Sequence, residues 1–191
     1  MIKKLILLAI LLLTTVSLSA GWFSRLFESS EDEITLTTVS SWKEVVNFAR
    51  VHLPQEGQLE RKSDGFVYLK VDDEYINALY PMLGLEEKGY KKPPYFRRSD
   101  SPGAHISVFY ADEHVHPVEI GQTFHFQVKR IAIVHPSKKS SYVVLQVTSP
   151  ELEHLREEYG LSPKLKGNDF HISLAKKNHF RPLKKKFFPF S

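Results

Sequence analysis

Apolar residues recur at helical spacing in Trp42, Val45, Val46 and Ala49, and the pattern predicts an amphipathic helix over 41–52. Ser40 or Ser41 offers its N-cap, and Glu44 stands where it would close a capping box with Ser41. The pattern then changes to alternation. In 66–71 the residues Val67, Leu69 and Val71 share one face, which predicts a strand. A helical segment over Asp73–Leu83 ends at Gly84, and a basic loop leads to the strand-like run Ala104-His-Ile-Ser-Val-Phe-Tyr110. Gly121 marks a turn before Thr123–Val134, a strand-like stretch long enough to bend or split. Within it, Phe124-His-Phe126 alternates so that His125 points outward.

The same order then recurs. Val143, Leu145 and Val147 share a face in 142–147, a helix runs from about Pro150 to Tyr159 and stops at Gly160, and Asp169-Phe-His-Ile-Ser-Leu174 follows. The two strands are offset by 76 positions and the two His-Ile-Ser triplets by 66, so the first half carries about ten extra residues before its triplet. Lys91-Lys-Pro-Pro-Tyr-Phe-Arg-Arg98 lies there. A strand–helix–strand unit used twice predicts two similar lobes around a pseudo-two-fold axis. Each has its helices on one sheet face and leaves the other face to line a cleft.

The first twenty residues have the pattern of an export signal. Lys3 and Lys4 precede the unbroken apolar run Leu5–Leu13, and small residues follow at Ser17, Ser19 and Ala20. The run is short for a membrane span, which takes about 20 residues. The expectation is export to the periplasm or medium, with no stable membrane insertion after cleavage. The formal charge of +4 then falls to about +2, which excludes a general nucleic-acid coat. There is no cysteine, so disulfides, thiolate catalysis and an N-terminal lipid anchor on Cys are excluded. The remaining divisions are 21–40 as linker or N-terminal extension, 41–177 as the folded domain, and 178–191 as a basic aromatic tail.

Strand alternation puts His105 and Ser107 on one face with Ile106 and Val108 on the other. His171 and Ser173 stand in the same relation to Ile172 and Leu174. Two such pairs aimed into one cleft suit displacement at phosphorus, where attacking and leaving oxygens lie in line. One imidazole takes a proton from the nucleophile while the other gives one to the leaving oxygen. The serine hydroxyls can hold the non-bridging oxygens, and no metal or other cofactor is required.

Ala104-His-Ile-Ser-Val108 and Phe170-His-Ile-Ser-Leu174 resemble the paired His-x-Ser/Thr-x signatures of the 2H phosphoesterase superfamily. The resemblance covers roughly residues 60–177. It implies an α+β, bilobal fold in which two pseudo-symmetric β-sheet lobes with outer helices surround a central cleft. It also implies a phosphodiesterase acting on 2′,3′-cyclic or 2′-5′ linkages of nucleotides or short RNA, with His105 and His171 as acid and base. Ser107 and Ser173 are then phosphate ligands. A non-catalytic nucleotide- or phospho-ligand-binding module is the alternative on the same fold.

Other candidates surround the triplets. Lys70 and Gln146 are equivalent in the repeat and fall with Tyr68 and Tyr142 on the non-core face. Tyr95, Phe96, Arg97 and Arg98 precede the first triplet, where an aromatic ring can stack a base and Arg98 can hold phosphate. Phe109 is expected to wall the cleft beside His105. His114 and His116 lack the helical His-Glu-x-x-His spacing of a zinc site. The Glu-rich helix 151–158 is expected to be a solvated face. Lys176, Lys177, Arg181 and Lys184–Lys186 form a basic stretch that can follow a nucleic-acid backbone or anionic lipid. The expected species is a monomer that binds a nucleotide or short RNA diester.

Overall fold

The computed structural model describes residues 42–96 and 101–179. The export signal, the 21–40 segment, the Ser41 cap, Arg97, Arg98 and the tail from residue 180 lie outside the described residues.

Helix α1, Lys43–His52, buries Val45, Val46 and Ala49 as its spacing requires, with Trp42 at the N-cap position. Strands β1 (Glu56–Arg61) and β2 (Val67–Lys70) follow. The helical segment predicted over 73–83 is two short helices, α2 (Glu74–Asn77) and α3 (Leu79–Met82). Pro81 explains the break: it has no N–H for the Asn77 carbonyl, and its ring clashes with that carbonyl in a continuous helix. Strand β3, His105–Phe109, carries the first triplet. The stretch 123–134 splits at Phe126 into β4 (Thr123–His125) and β5 (Gln127–Ser137). Strand β6 is Ser140–Thr148, helix α4 is Pro150–Glu158, and β7, His171–Asn178, carries the second triplet. Ser149 caps α4 by accepting the Leu152 N–H at 3.2 Å.

The repeat in the sequence predicts two sheets across a cleft. Among the described residues these strands form one antiparallel sheet, in the order β4-β1-β2-β3-β7-β6-β5. The two halves, β1-β2-β3 and β5-β6-β7, meet at one register pair, Ile106 with Ile172. A single apolar row runs from β1 to β5 through that pair: Leu59, Leu69, Ile106, Ile172, Leu145 and Ile131 are successive register partners. All six side chains are buried. Each is worth about 1.5–3 kcal/mol of burial, so the row ties the halves into one core. Only Phe126 separates β4 from β5, which are the two edges of the sheet. The sheet must therefore curl until its edges nearly meet. Gln55 fastens the closure by accepting the Phe126 N–H at 3.0 Å and the Val128 N–H at 2.9 Å.

Two bulges interrupt the alternation at matching places. Tyr68 opposes Ser107 while Val67 opposes Phe109, so Val108 is an extra residue in β3. Val144 opposes Ser173 while Val143 opposes Ala175, so Leu174 is extra in β7. A bulge shifts every later side chain to the other face. Phe109 is accordingly turned into the core, fully buried against Tyr159, and does not wall the cleft as its sequence position suggested.

Helix α4 is also more than a solvated face. Arg156 is buried, and its guanidinium donates to Glu113 at 2.7 Å, to the Val108 carbonyl at 2.5 Å and to the Ser162 carbonyl at 2.8 Å. The bulge frees the Val108 carbonyl from the ladder, and Arg156 satisfies it. His125 is exposed between buried Phe124 and Phe126, as the alternation predicted.

Candidate active site

The Ile106–Ile172 pair fixes the site. In an antiparallel ladder its flanking residues also face each other, which sets His105 across from Ser173 and Ser107 across from His171. Directly opposed Cβ atoms are about 4.5–5.5 Å apart. The four side chains form a square on the face opposite the apolar row, with the imidazoles on one diagonal and the hydroxyls on the other.

Both imidazoles are held in the same way. His105 Nδ1 lies 2.8 Å from the Gly103 carbonyl, and His171 Nδ1 lies 3.0 Å from the Asp169 carbonyl. A carbonyl only accepts, so Nδ1 carries the proton in each ring. In the neutral ring Nε2 then bears the lone pair. Burial is the main influence on both, and it lowers both pKa values below the ordinary 6.5. Around His105 the positive charges of Lys70 and His171 lower it further, whereas the Asp169 charge acts upward on His171.

Aromatic rings wall His105. Tyr95, Tyr68 and Phe66 have centroids 4.7, 5.6 and 5.9 Å from the imidazole. Burial raises the Tyr95 pKa and the neighbouring Ser173 hydroxyl offsets part of the rise, so this ring from the extra loop lies beside both triplets. The loop is anchored on β7, where Lys91 and Lys176 exchange two backbone hydrogen bonds of 2.9 Å, and the Gly103 N–H donates to the Tyr95 carbonyl at 3.0 Å. Phe96 is exposed.

The remaining predicted residues also have partners within the fold. Lys70 and Gln146 do stand in equivalent places, opposite His105 and His171. Lys70, however, is bound to the Asp73 carboxylate and donates to the Val71 carbonyl at 3.0 Å. Asp73 also accepts the Ala104 N–H at 2.8 Å. The pair therefore holds the turn whose Gly103 carbonyl holds His105. Gly103 has φ 64°, and a Cβ there would collide with the Asp73 carboxylate. The Tyr68 hydroxyl donates to Glu60 at 2.7 Å, leaving its ring against His105. Gln146 accepts from Arg130 Nε at 2.6 Å. Arg130 thus lies in the row Arg130–Gln146–His171 on the site face. Its face is not legible in the sequence, because a register shift at Val128/Arg130 breaks the alternation. His114 and His116 are exposed.

A family model described as Swiss Army Knife, 2H phosphoesterase domain, matches residues 67–180. This span contains both triplets. No curated protein and no solved structure matches the chain.

Proposed function

Because the chain belongs to the 2H phosphoesterase family, we propose that it is an exported, metal-independent phosphodiesterase acting on 2′,3′-cyclic or 2′-5′ linkages of nucleotides or short RNA. The observation that carries the reading is the matched tethering of the two rings: each gives its Nδ1 proton to the carbonyl two residues earlier and leaves Nε2 for the substrate.

In this reading the scissile phosphorus sits over the square. One neutral imidazole takes a proton from water as the water oxygen bonds to phosphorus. The opposite imidazolium gives its proton to the leaving ribose oxygen as that bond breaks. The two rings end with exchanged protonation states and reset through solvent. Ser107, Ser173 and the Tyr95 hydroxyl donate to the non-bridging oxygens as their charge grows. The imidazoles provide both proton transfers, so the chemistry calls for no metal. Export rests on Lys3, Lys4 and the Leu5–Leu13 run, and N-terminal sequencing of the mature protein should begin after Ala20.

The test is turnover of a panel of 2′,3′-cyclic and 2′-5′ diesters in EDTA, with the product phosphate located on the 2′ or 3′ oxygen. Hydrolysis of at least one class is expected. Tight nucleotide binding without turnover of any diester would instead establish a binding module.

A further inference from the structure

The two bulges have a consequence for what the site can hold. Each follows the serine of its triplet, and each buries the next residue after the bulge, Phe109 in β3 and Ala175 in β7. The residue after that returns to the site face. In β7 this is Lys176, which opposes Tyr142 and lies 5.2 Å from the centre of its ring. After β3 it is Tyr110, which stacks on Phe66 at 6.3 Å and has Lys166 4.6 Å from its ring centre. Phe66 in turn touches His105. Tyr95, at the centre, feels the charges of Tyr142, Lys176 and Tyr110.

Each half thus ends in a partly exposed aromatic surface with a lysine over it. Because β3 and β7 run antiparallel, the surfaces lie on opposite sides of the square. Each is two register steps beyond its serine, counted on the partner strand from Tyr68 to Phe66 and from Val144 to Tyr142, or about 7 Å at the strand rise of about 3.3 Å. A cyclic mononucleotide has one base and can use only one of them.

We propose that the site binds linear single-stranded RNA, with bases stacked on Tyr110–Phe66 on one side of the scissile phosphate and on Tyr142 on the other. Lys166 and Lys176 pair with the flanking phosphates. The inference rests on the phosphodiesterase reading for the place of the scissile phosphate. Flat rings accept any base, and lysines beside them follow the backbone, which is the combination that single-stranded nucleic acid requires.

The test is calorimetry with two ligands that the enzyme cannot cleave. One is a 2′-5′ tetra-adenylate with methylene in place of each leaving oxygen; the other is adenosine 2′-monophosphate. The tetra-adenylate analogue should bind about ten-fold tighter or more. Tyr110→Ala and Tyr142→Ala, each checked for an unchanged fold by circular dichroism, should each weaken it roughly five-fold or more. The monophosphate should respond to one of them at most. Lys176→Gln, whose side chain lies outside the core, should reduce the salt slope of tetra-adenylate binding by about 0.7. Equal affinity for the two ligands, or Tyr variants and a salt slope that match wild type, overturns the proposal. A protein that shows the binding pattern but cleaves no diester refutes the reaction and leaves the RNA track standing.

Discussion

Ile106 lies directly across from Ile172 at the centre of the sheet, and each is flanked by the His and Ser of its own triplet. The pair joins the two halves through the core on one face. On the other face it crosses the triplets, so that each His meets the partner triplet's Ser. Cohesion and chemistry therefore depend on the same register. A slip of one residue in either strand would send that strand's His and Ser into the core.

The pH profile follows from burial. Burial lowers both imidazoles below 6.5. The proposed reaction needs one ring neutral and the other protonated, and that state is most populated between the two pKa values. The kcat/KM profile should be bell-shaped with its maximum on the acid side of about pH 6.5. Its alkaline limb marks loss of the acid's proton. A maximum above about pH 7.5 would contradict the assignment.

Lys70 and Asp73 act on His105 through charge as well as through the Gly103 turn. The Lys70 cation lowers the His105 pKa. Lys70→Met should therefore raise it and move the His105 limb of the profile to higher pH. Asp73→Asn leaves that cation less compensated and should move the limb to lower pH, with a fall in kcat as the turn loosens. Shifts in the same direction, read from the two kcat/KM profiles, would rule out this account.

Gly103→Ala isolates the turn. The added methyl meets the Asp73 carboxylate, and the residue keeps a left-handed backbone that alanine resists. A loss of about ten-fold or more in kcat is expected, since His105 then loses its carbonyl tether. Wild-type kcat in this variant would show that the tether is dispensable.

Arg156 is the stability counterpart. It is buried with three kinds of acceptor, and its partner Glu113 is largely buried. Burial alone would raise the Glu113 pKa, but hydrogen bonds from Arg156 and the Tyr110 N–H leave it lowered. Arg156→Ala strands that carboxylate and the Val108 carbonyl, at a cost of about 3–5 kcal/mol. Denaturant titration should show the loss. The Glu113 contribution is present above its unfolded pKa and disappears as pH falls through its lower folded value, so the gap between wild type and variant should narrow in acid.

The triplets, most strands and helix α4 were legible because they are written in local periodicity. Val143, Leu145 and Val147 alternate, and Ser149, Pro150 and Gly160 punctuate the helix. Strand β1 was not legible, because Leu59 is its only buried hydrophobic residue and Glu56, Gln58, Glu60 and Arg61 resemble a loop. The bulges at Val108 and Leu174 were hidden as well, since an extra residue is defined only against a partner strand. That concealment misplaced Phe109 and hid the return of Tyr110 and Lys176 to the site face. Arg130 was lost for the same reason. The joining of the halves into one sheet depends on one long-range pair, which no local pattern encodes. The site face of Lys70 was legible from alternation, whereas its partner Asp73 is fixed by the turn and not by alternation.

The most direct test is the kinetics of His105→Ala, His171→Ala and the double variant on whichever diester the wild type hydrolyses. Two rings that act as one acid–base pair predict a fall in kcat of about 10²–10⁴-fold for each single variant. The double variant should lose little more than the worse single one, because neither ring completes the transfer alone. Wild-type kcat in either single variant would contradict the central claim.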